Sequence, residues 1–425
     1  MTSKVASAIA FVANPMIRDR RVEQTATVLG NVSGDATVFA LDPSGRLPPT
    51  KSISSNVSVR RFGPMRGRPG QATVQEADSA SQQFRATRAG STPRSLVRFI
   101  VPFVAAGSSV LFALRCIKAC RNAKPEILWA NDLPTLPAAV AIRWLAGGVL
   151  VYDSHEVYTE RVTSRPFKGV WRGVERRVEK LLLRSVDQII TVSDGAAEYL
   201  NDLYQPNVAP LVIRSIPDAS DSQESLNRSL RADAGLADTS IVIVYTGVVT
   251  HARGVDLVID AIRLIDNLAV HLVVVGYGQR EYIHALQARA VAASVRDRVH
   301  FLEPVPSDVL VEYVATADVA VIPGRPVSLN SRVALPNKLF EALAAGLPLV
   351  VNDKPEISRF VKTHGVGVVT DCESPRLFAE ALERVIGTRE QWRGPIEDAQ
   401  EATQWRHEAE RLQVCLEDLL VRDRN

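Results

Sequence analysis

The sequence predicts an α/β protein of two doubly wound parallel sheets, and three observations predict it. Short apolar strands alternate with longer helical patterns along most of the chain. The strands are continuous apolar runs, as in IVIVYTG (241–247) and VHLVVVGYG (270–278), a pattern that belongs to strands covered on both faces. At 425 residues the chain is long enough for two or three domains, each with its own core.

The first strand is SAIAFVANP (7–15), followed by a helical RVEQTATVLG that stops at Gly30 and by DATVFAL (35–41). Residues 42–94 break the alternation: they are rich in Ser, Pro, Gly and Arg, with one short strand from Val57 to Phe62 and an expected mobile insert over 63–94. A helix through 99–121 comes next, then EILWA (126–130), a helix after Asp132 with Asn131 as its expected cap, and GGVLVYDSHE (147–156). A basic amphipathic helix through 171–184, the strand DQIITVS (187–193) and a helix from Asp194 capped by Ser193 complete a first domain over 1–210.

The second domain spans 211–395. Its strands are IVIVYTG, VHLVVVGYG, RVHFLEPV (298–305), DVAVIPG (318–324), PLVVND (348–353) and GVGVVT (365–370), each separated from the next by a helical pattern. The remaining residues, 396–425, read as a helix that crosses back onto the first domain.

Charge and cysteine narrow the class. Residues 1–210 hold 27 Lys+Arg against 17 Asp+Glu, whereas the rest of the chain holds 23 against 30. A basic first half suits an anionic surface or substrate. It lacks interleaved aromatics and any zinc-finger or RNA-binding signature, so nucleic acid is not expected as a partner. Cys116, Cys120, Cys372 and Cys415 are too few for a disulfide scaffold and read as reduced thiols, which with the absence of a signal peptide suggests a cytoplasmic protein. The apolar run Phe99 to Leu114 is 16 residues long, short of the roughly 20 needed to cross a bilayer. It is expected as a buried helix or as one lying on an anionic membrane at its inner face.

Most candidate site residues stand just after strands, where ligands of doubly wound sheets bind. Gly247 ends the first strand of the second domain, and the segment after it has no G-x-G-x-x-G fingerprint, which argues against a dinucleotide enzyme. Arg253 and Gly254 place a guanidinium at a helix N-terminus, a setting suited to phosphate oxygens. Gly276 and Gly278 form a second tight turn. In LPNKLFEALAAGLPLV (335–350), Asn337 is expected to cap a short helix, Lys338 to face a diphosphate, and Glu341 to accept hydrogen bonds from a vicinal diol such as a ribose. In the first domain Asp132, Asp153, His155 and Glu156 follow buried strands, and Arg18 and Asp19 lie between the first strand and its helix. No set of residues has the spacing of a metal site, and G-x-S-x-G, H-E-x-x-H and P-loop motifs are absent.

Taken together, NPMIRDRRVEQ, WANDLPTLPAA, VYDSHEVYTE, VYTGVVTHARGVDLVIDAI, LVVVGYG and DVAVIPG followed by LPNKLFEALAAGLPLV resemble the GT-B glycosyltransferases, specifically the retaining family 4 group, over about residues 5–370. The resemblance implies transfer of a hexosyl or N-acetylhexosaminyl unit from a nucleoside-diphosphate sugar, with retention and with neither cofactor nor metal. The implied acceptor is a polysaccharide, cell-envelope or lipid-linked saccharide. It further implies that Arg253 and Lys338 meet the donor diphosphate, that Glu341 holds the ribose hydroxyls, that Gly276 to Gly278 underlie the base, and that His155 reaches the transferred sugar, while Arg18, Asp19, Asp132, Asp153 and Glu156 lie on the acceptor side. Two departures stand out. Val248 occupies the place of an arginine that directly follows the glycine, and Val333 that of the first of two paired glutamates, with Asn330 or Ser331 as substitutes. The alternatives are a nucleotide-sugar epimerase of the same fold and a catalytically degenerate partner subunit.

Overall fold

The computed structural model describes residues 7–17, 19–63, 110–121, 123–161, 168–218, 228–371 and 373–424. The expected insert over 63–94, the start of the 99–121 helix, Arg18 and Cys372 therefore lie wholly or almost wholly outside the described residues. The chain divides into two compact units, one of residues 1–214 with 407–425 and one of residues 215–406.

The N-terminal unit is built on eight strands in the order β3-β4-β2-β1-β5-β6-β7-β8. β1 (Ala8–Val12) pairs in parallel with β2 (Ala36–Leu41) on one side and β5 (Ile127–Asn131) on the other. β4 (Val57–Phe62) extends the sheet beyond β2, and β3 (Thr50–Ser52) is its one antiparallel edge. β6 (Val149–Ser154) and β7 (Gln188–Thr191) follow β5, and β8 (Leu211–Val212) adds a two-residue parallel edge. Because β8 pairs with β7, this unit runs on to Arg214 rather than ending at 210.

The sequence of β6 shows why a parallel sheet forms. All six residues are buried, so helices must cover both faces. Ile9, Phe11, Leu128, Ala130, Leu150 and Tyr152 line one face, and the helices 110–120, Leu136–Ala146 and Asp194–Tyr204 close over it. The helix Trp405–Arg424 returns to this unit with Leu412 and Leu416 buried, and Glu408 reaches Arg214 at 3.4 Å.

The C-terminal unit has six parallel strands in the order β11-β10-β9-β12-β13-β14. They are β9 (Ile241–Thr246), β10 (Val270–Val275), β11 (Val299–Leu302), β12 (Val319–Ile322), β13 (Leu349–Asn352) and β14 (Gly367–Thr370). In chain order this is the 3-2-1-4-5-6 arrangement of doubly wound nucleotide-binding sheets, and the N-terminal unit repeats it from β4 through β7. The order reverses between β9 and β12 here and between β1 and β5 there, opening a crevice at the carboxyl ends of those strands.

Candidate active-site clusters

In the C-terminal unit the loops leaving β9, β10 and β12 are drawn together by glycine. A Cβ on Gly276 would lie 1.9 Å from the carbonyl oxygen of Gly247, so only glycine lets the β10 turn rest against the β9 turn. Gly254 has φ +73° and a Cβ there would meet the Pro323 carbonyl at 2.3 Å, which seats the helix Val255–Leu264 beneath the loop after β12. Arg325 locks that arrangement. Its guanidinium donates to Asp256 at 2.9 Å on both oxygens and to the His251 carbonyl, while its backbone N–H reaches Ala252. The one-turn helix His251–Arg253 is thereby fixed, and Arg253 projects from it as an exposed side chain.

Lys338 approaches the same crevice from below. It lies in the first turn of the helix Asn337–Ala344, donates through Nζ to the Thr246 carbonyl at 2.6 Å, and sits 4.0 Å over the Tyr245 ring. Burial pushes its pKa well below the usual lysine range; Arg253 and Lys354 push the same way and Glu341 opposes them. Lys354 is buried at the N-terminus of the helix Pro355–His364, after β13. Arg253 and Lys354 thus both oppose a charge on buried Lys338 at the carboxyl ends of β9 and β13, an electrostatic cost that an anion there would relieve. Half-buried Glu341 lies one turn beyond Lys338, and with Thr246 the two line a cavity of about 10 Å³, at the lower limit for one water. A larger depression of about 780 Å³ beside β13 and β14 is lined by Asp353, Asp371, Glu373 and Glu380 against Lys362 and Arg384, an acidic balance less suited to phosphate.

The expected capping role of Asn337 is not found. Pro336 is the N-cap, Asn337 is the first helical residue and is exposed, and no side chain caps the turn. A proline ahead of the helix supplies the extended φ and ψ that a cap residue needs, which leaves Asn337 inside the first turn.

The N-terminal unit carries a buried chain of charges. Asp153, at 0% exposure in β6, takes two hydrogen bonds from Arg21 (2.7 and 3.2 Å) and one contact of 2.9 Å from His155 Nε2. Asp132 receives the His155 backbone N–H at 3.2 Å and stands 4.0 Å from the other ring nitrogen. Asp132 has φ +60°, a left-handed bend that Asp tolerates better than most residues, and this bend turns its carboxylate back toward His155. Burial by itself would raise the Asp153 pKa, but Arg21 and His155 hold it down to about 2. Burial would lower that of His155; Asp153 and Asp132 overcome it and lift the ring to about 9. Desolvation raises Asp132, with the nearby imidazolium acting against it. The unit therefore presents a histidine cation clamped between carboxylates.

The other expected acceptor-side residues behave differently. Asp19 caps the helix Arg20–Ser33 through Val22 N–H at 3.3 Å and accepts from Asn14 at 2.8 Å, so its carboxylate is engaged locally. Glu156 is exposed on the loop after β6. Asn131, expected as a cap, is instead buried in β5, where it donates to the Phe11 carbonyl at 2.9 Å; the N-cap of the helix Leu136–Ala146 is Thr135. Strand pairing leaves Asn131 no freedom to reach the turn.

Sequence reasoning missed Arg21, Lys354 and Arg325. Arg21 lies inside the motif NPMIRDRRVEQ, yet nothing in the sequence pairs it with a residue 132 positions away. Lys354 in NDKPE stands just after a strand, the location that singled out the other candidates, and that signal was available.

Two parallel sheets of this order, each with polar groups at the carboxyl ends of its strands, define a two-domain doubly wound α/β protein. Comparison with known proteins adds the kind. Residues 240–388 match the family described as "Glycosyl transferases group 1" and residues 77–221 match "Glycosyltransferase Family 4". The chain has the fold of the group 1 and family 4 glycosyltransferases.

Among solved structures it is similar to sucrose-phosphate synthase from Thermosynechococcus elongatus, with TM-score 0.73, 14% identity and 97% and 99% of the two chains covered. It is similar also to HepE of Anabaena in complex with UDP and glucose, with TM-score 0.68, 14% identity and coverage of 97% and 99%. Among curated proteins it is 27% identical over 222 residues to a D-inositol 3-phosphate glycosyltransferase of Geodermatophilus obscurus, covering 50% of this chain and 48% of that protein. A glycosyltransferase of Methanocaldococcus jannaschii without assigned substrate is 30% identical over 168 residues, covering 39% of this chain and 40% of that one. The chain thus spans about half the length, or less, of these curated relatives.

Proposed function

We propose that the protein is a retaining glycosyltransferase that moves a sugar from a nucleoside-diphosphate donor to a saccharide or lipid-linked acceptor without a metal. The observation that carries this reading is the convergence of Arg253, Lys338 and Lys354 at the carboxyl ends of β9 and β13, with Glu341 one helical turn from Lys338. Those cations suit the two phosphates, and a carboxylate suits the ribose diol beside them. The UDP complexes of HepE support a uridine nucleotide as the donor to try first.

In the proposed reaction the bond between the anomeric carbon and the β-phosphate oxygen breaks, and both electrons leave with the phosphate. Arg253, Lys338 and Lys354 stabilise the charge that grows there. The acceptor oxygen bonds to the same face of the anomeric carbon, and its proton passes to the departing phosphate oxygen. His155, as an imidazolium, is assigned to a hydroxyl of the transferred sugar, with Asp153 and Arg21 as positioning residues. The cations take the charge-neutralising place a divalent metal would otherwise fill.

Thermal-shift titration with UDP, GDP and ADP and with their sugars tests the donor site. One nucleoside diphosphate should raise the melting temperature through linkage, and Arg253→Ala should abolish the rise. If none raises it, the donor assignment fails. Incubation of the matched sugar nucleotide with a candidate acceptor, followed by NMR of the product's anomeric centre, reads retention directly; inversion would overturn that part alone. Appearance of an epimeric sugar nucleotide without acceptor would replace the transferase reading.

A further inference from the structure

The helix Lys168–Leu182 is oriented opposite to an ordinary surface helix. Its inward face is polar. Buried Glu179 accepts hydrogen bonds from Tyr152 at 2.7 Å and Tyr204 at 2.5 Å, and Arg176 pairs with Glu160. Its outward face is apolar. Val170 (69% exposed), Trp171, Val174, Val178 and Leu181 (62%) fall within an arc of about 100° at 3.6 residues per turn. The exposed charged residues between 169 and 185 are Arg177, Lys180 and Arg184, and none is acidic.

The neighbouring helix Leu136–Ala146 packs against this one and ends in Trp144 (77% exposed) and Leu145 (74%). The helix 110–120, on the same face of the sheet, exposes Val110, Leu111 and Leu114 together with Lys118. None of these three helices carries a fully exposed acid among the described residues, although half-buried Glu175 stands beside Trp171. Exposed tryptophans beside aliphatic side chains, with exposed charges that are all Lys or Arg, form the surface that settles into an anionic bilayer interface.

We propose that this face of the N-terminal unit, centred on Trp171 and Leu181, docks the protein onto an anionic lipid surface. Charge decides against a second copy as the occupant. A two-fold contact would set Arg177, Lys180 and Arg184 against their own likeness, whereas anionic headgroups complement them. No helix among the described residues is long and apolar enough to cross a membrane, and the contact proposed is a peripheral one. The proposal concerns where the protein sits, and its test reads binding alone, so it stands or falls apart from the donor chemistry.

The test is co-sedimentation of the full chain with vesicles of phosphatidylcholine containing about 30% phosphatidylglycerol, against vesicles of phosphatidylcholine alone. Wild-type protein should pellet with the anionic vesicles, with a blue shift of tryptophan emission, and be released at about 0.5 M salt. Arg177→Glu with Lys180→Glu should weaken the partition by about 30-fold or more, at about 1 kcal/mol for each basic residue near the surface. Trp171→Ser with Leu181→Ser should weaken it by about 10-fold or more. All four positions are exposed, so the variants should melt like wild type. Wild-type protein that ignores anionic vesicles, or variants that bind them equally well, would overturn the proposal. So would a wild-type dimer that the Trp171→Ser, Leu181→Ser pair dissolves without any effect of vesicles.

Discussion

In the N-terminal unit the strands β5 and β6 lead into Asp132, Asp153 and His155; in the C-terminal unit the strands β9 and β13 lead toward Arg253 and Lys354. Both sheets share one strand order and reverse at the same place, yet one crevice gathers carboxylates around a histidine and the other gathers Arg253, Lys338 and Lys354, with Lys338 and Glu341 lining a small cavity. The comparison separates two things that fold arguments often merge. Strand order determines where a polar cluster can form, because backbone groups and helix termini open only at that end of the sheet. Loop residues then determine its charge, and so which substrate component each unit suits. The internal bonding differs too. The carboxylate cluster is satisfied within its own unit through Arg21, whereas in the other cluster burial, Arg253 and Lys354 all oppose a charge on Lys338, which an incoming anion would favour.

Replacing Asp153 with Asn attacks the N-terminal cluster where it is most buried. Leaving Arg21 without its charge partner, at 5% exposure, should cost about 3–5 kcal/mol, read as a fall in the urea midpoint at constant slope. A loss under about 1 kcal/mol would mean that the two clusters do not differ in internal satisfaction. In the C-terminal unit, Arg253→Ala should reduce single-turnover transfer by about 10²–10³ with the melting temperature little changed, since the side chain is exposed. Equal activity in Arg253→Ala and wild type would remove the functional side of the contrast.

Gly276→Ala places a methyl 1.9 Å from the Gly247 carbonyl, so the two turns must part. The expected cost is about 1–3 kcal/mol together with weaker nucleotide binding; unchanged binding would dissociate the turn from the site.

The last effect is in pH. The folded His155 titrates at about 9 against an ordinary histidine value of 6.5, so its stabilising contribution is complete below pH 6.5 and disappears as pH rises through 9. Asp153, at about 2 against an ordinary 3.8, contributes above pH 3.8 and loses that contribution as pH falls through 2. The stability difference between wild type and His155→Gln should therefore shrink between about pH 7 and pH 10, and a difference constant over that window would show that His155 is not held as a cation.

Much of this was legible in the sequence. Continuous apolar strands separated by helical patterns can only be covered parallel strands, and residues placed just after them were candidates by position alone. That logic singled out Arg253, Lys338, Asp153 and His155, which the structure places at or near the carboxyl ends of their strands. It failed where side-chain partners are remote in sequence, as with Arg21, and where a local rule competed with a stronger one. Asn131 resembles a cap, but strand pairing to β6 commits its backbone and burial commits its side chain to Phe11. The outward apolar face of the helix Lys168–Leu182 was equally hidden. Its periodicity announces an amphipathic helix without saying which face turns inward.

By itself, then, the sequence determined the strand and helix alternation, the glycines at the turns and the charges beside them, because these depend on near neighbours and on backbone geometry. Only the tertiary structure decided that Arg21 neutralises Asp153, that Lys354 joins Arg253 and Lys338, and that Glu179 draws the polar face of its helix inward. The first and last are pairings of buried groups, where desolvation makes a partner obligatory; the second is a meeting of loops set by strand order; and in all three, distance along the chain carries no information about the neighbour.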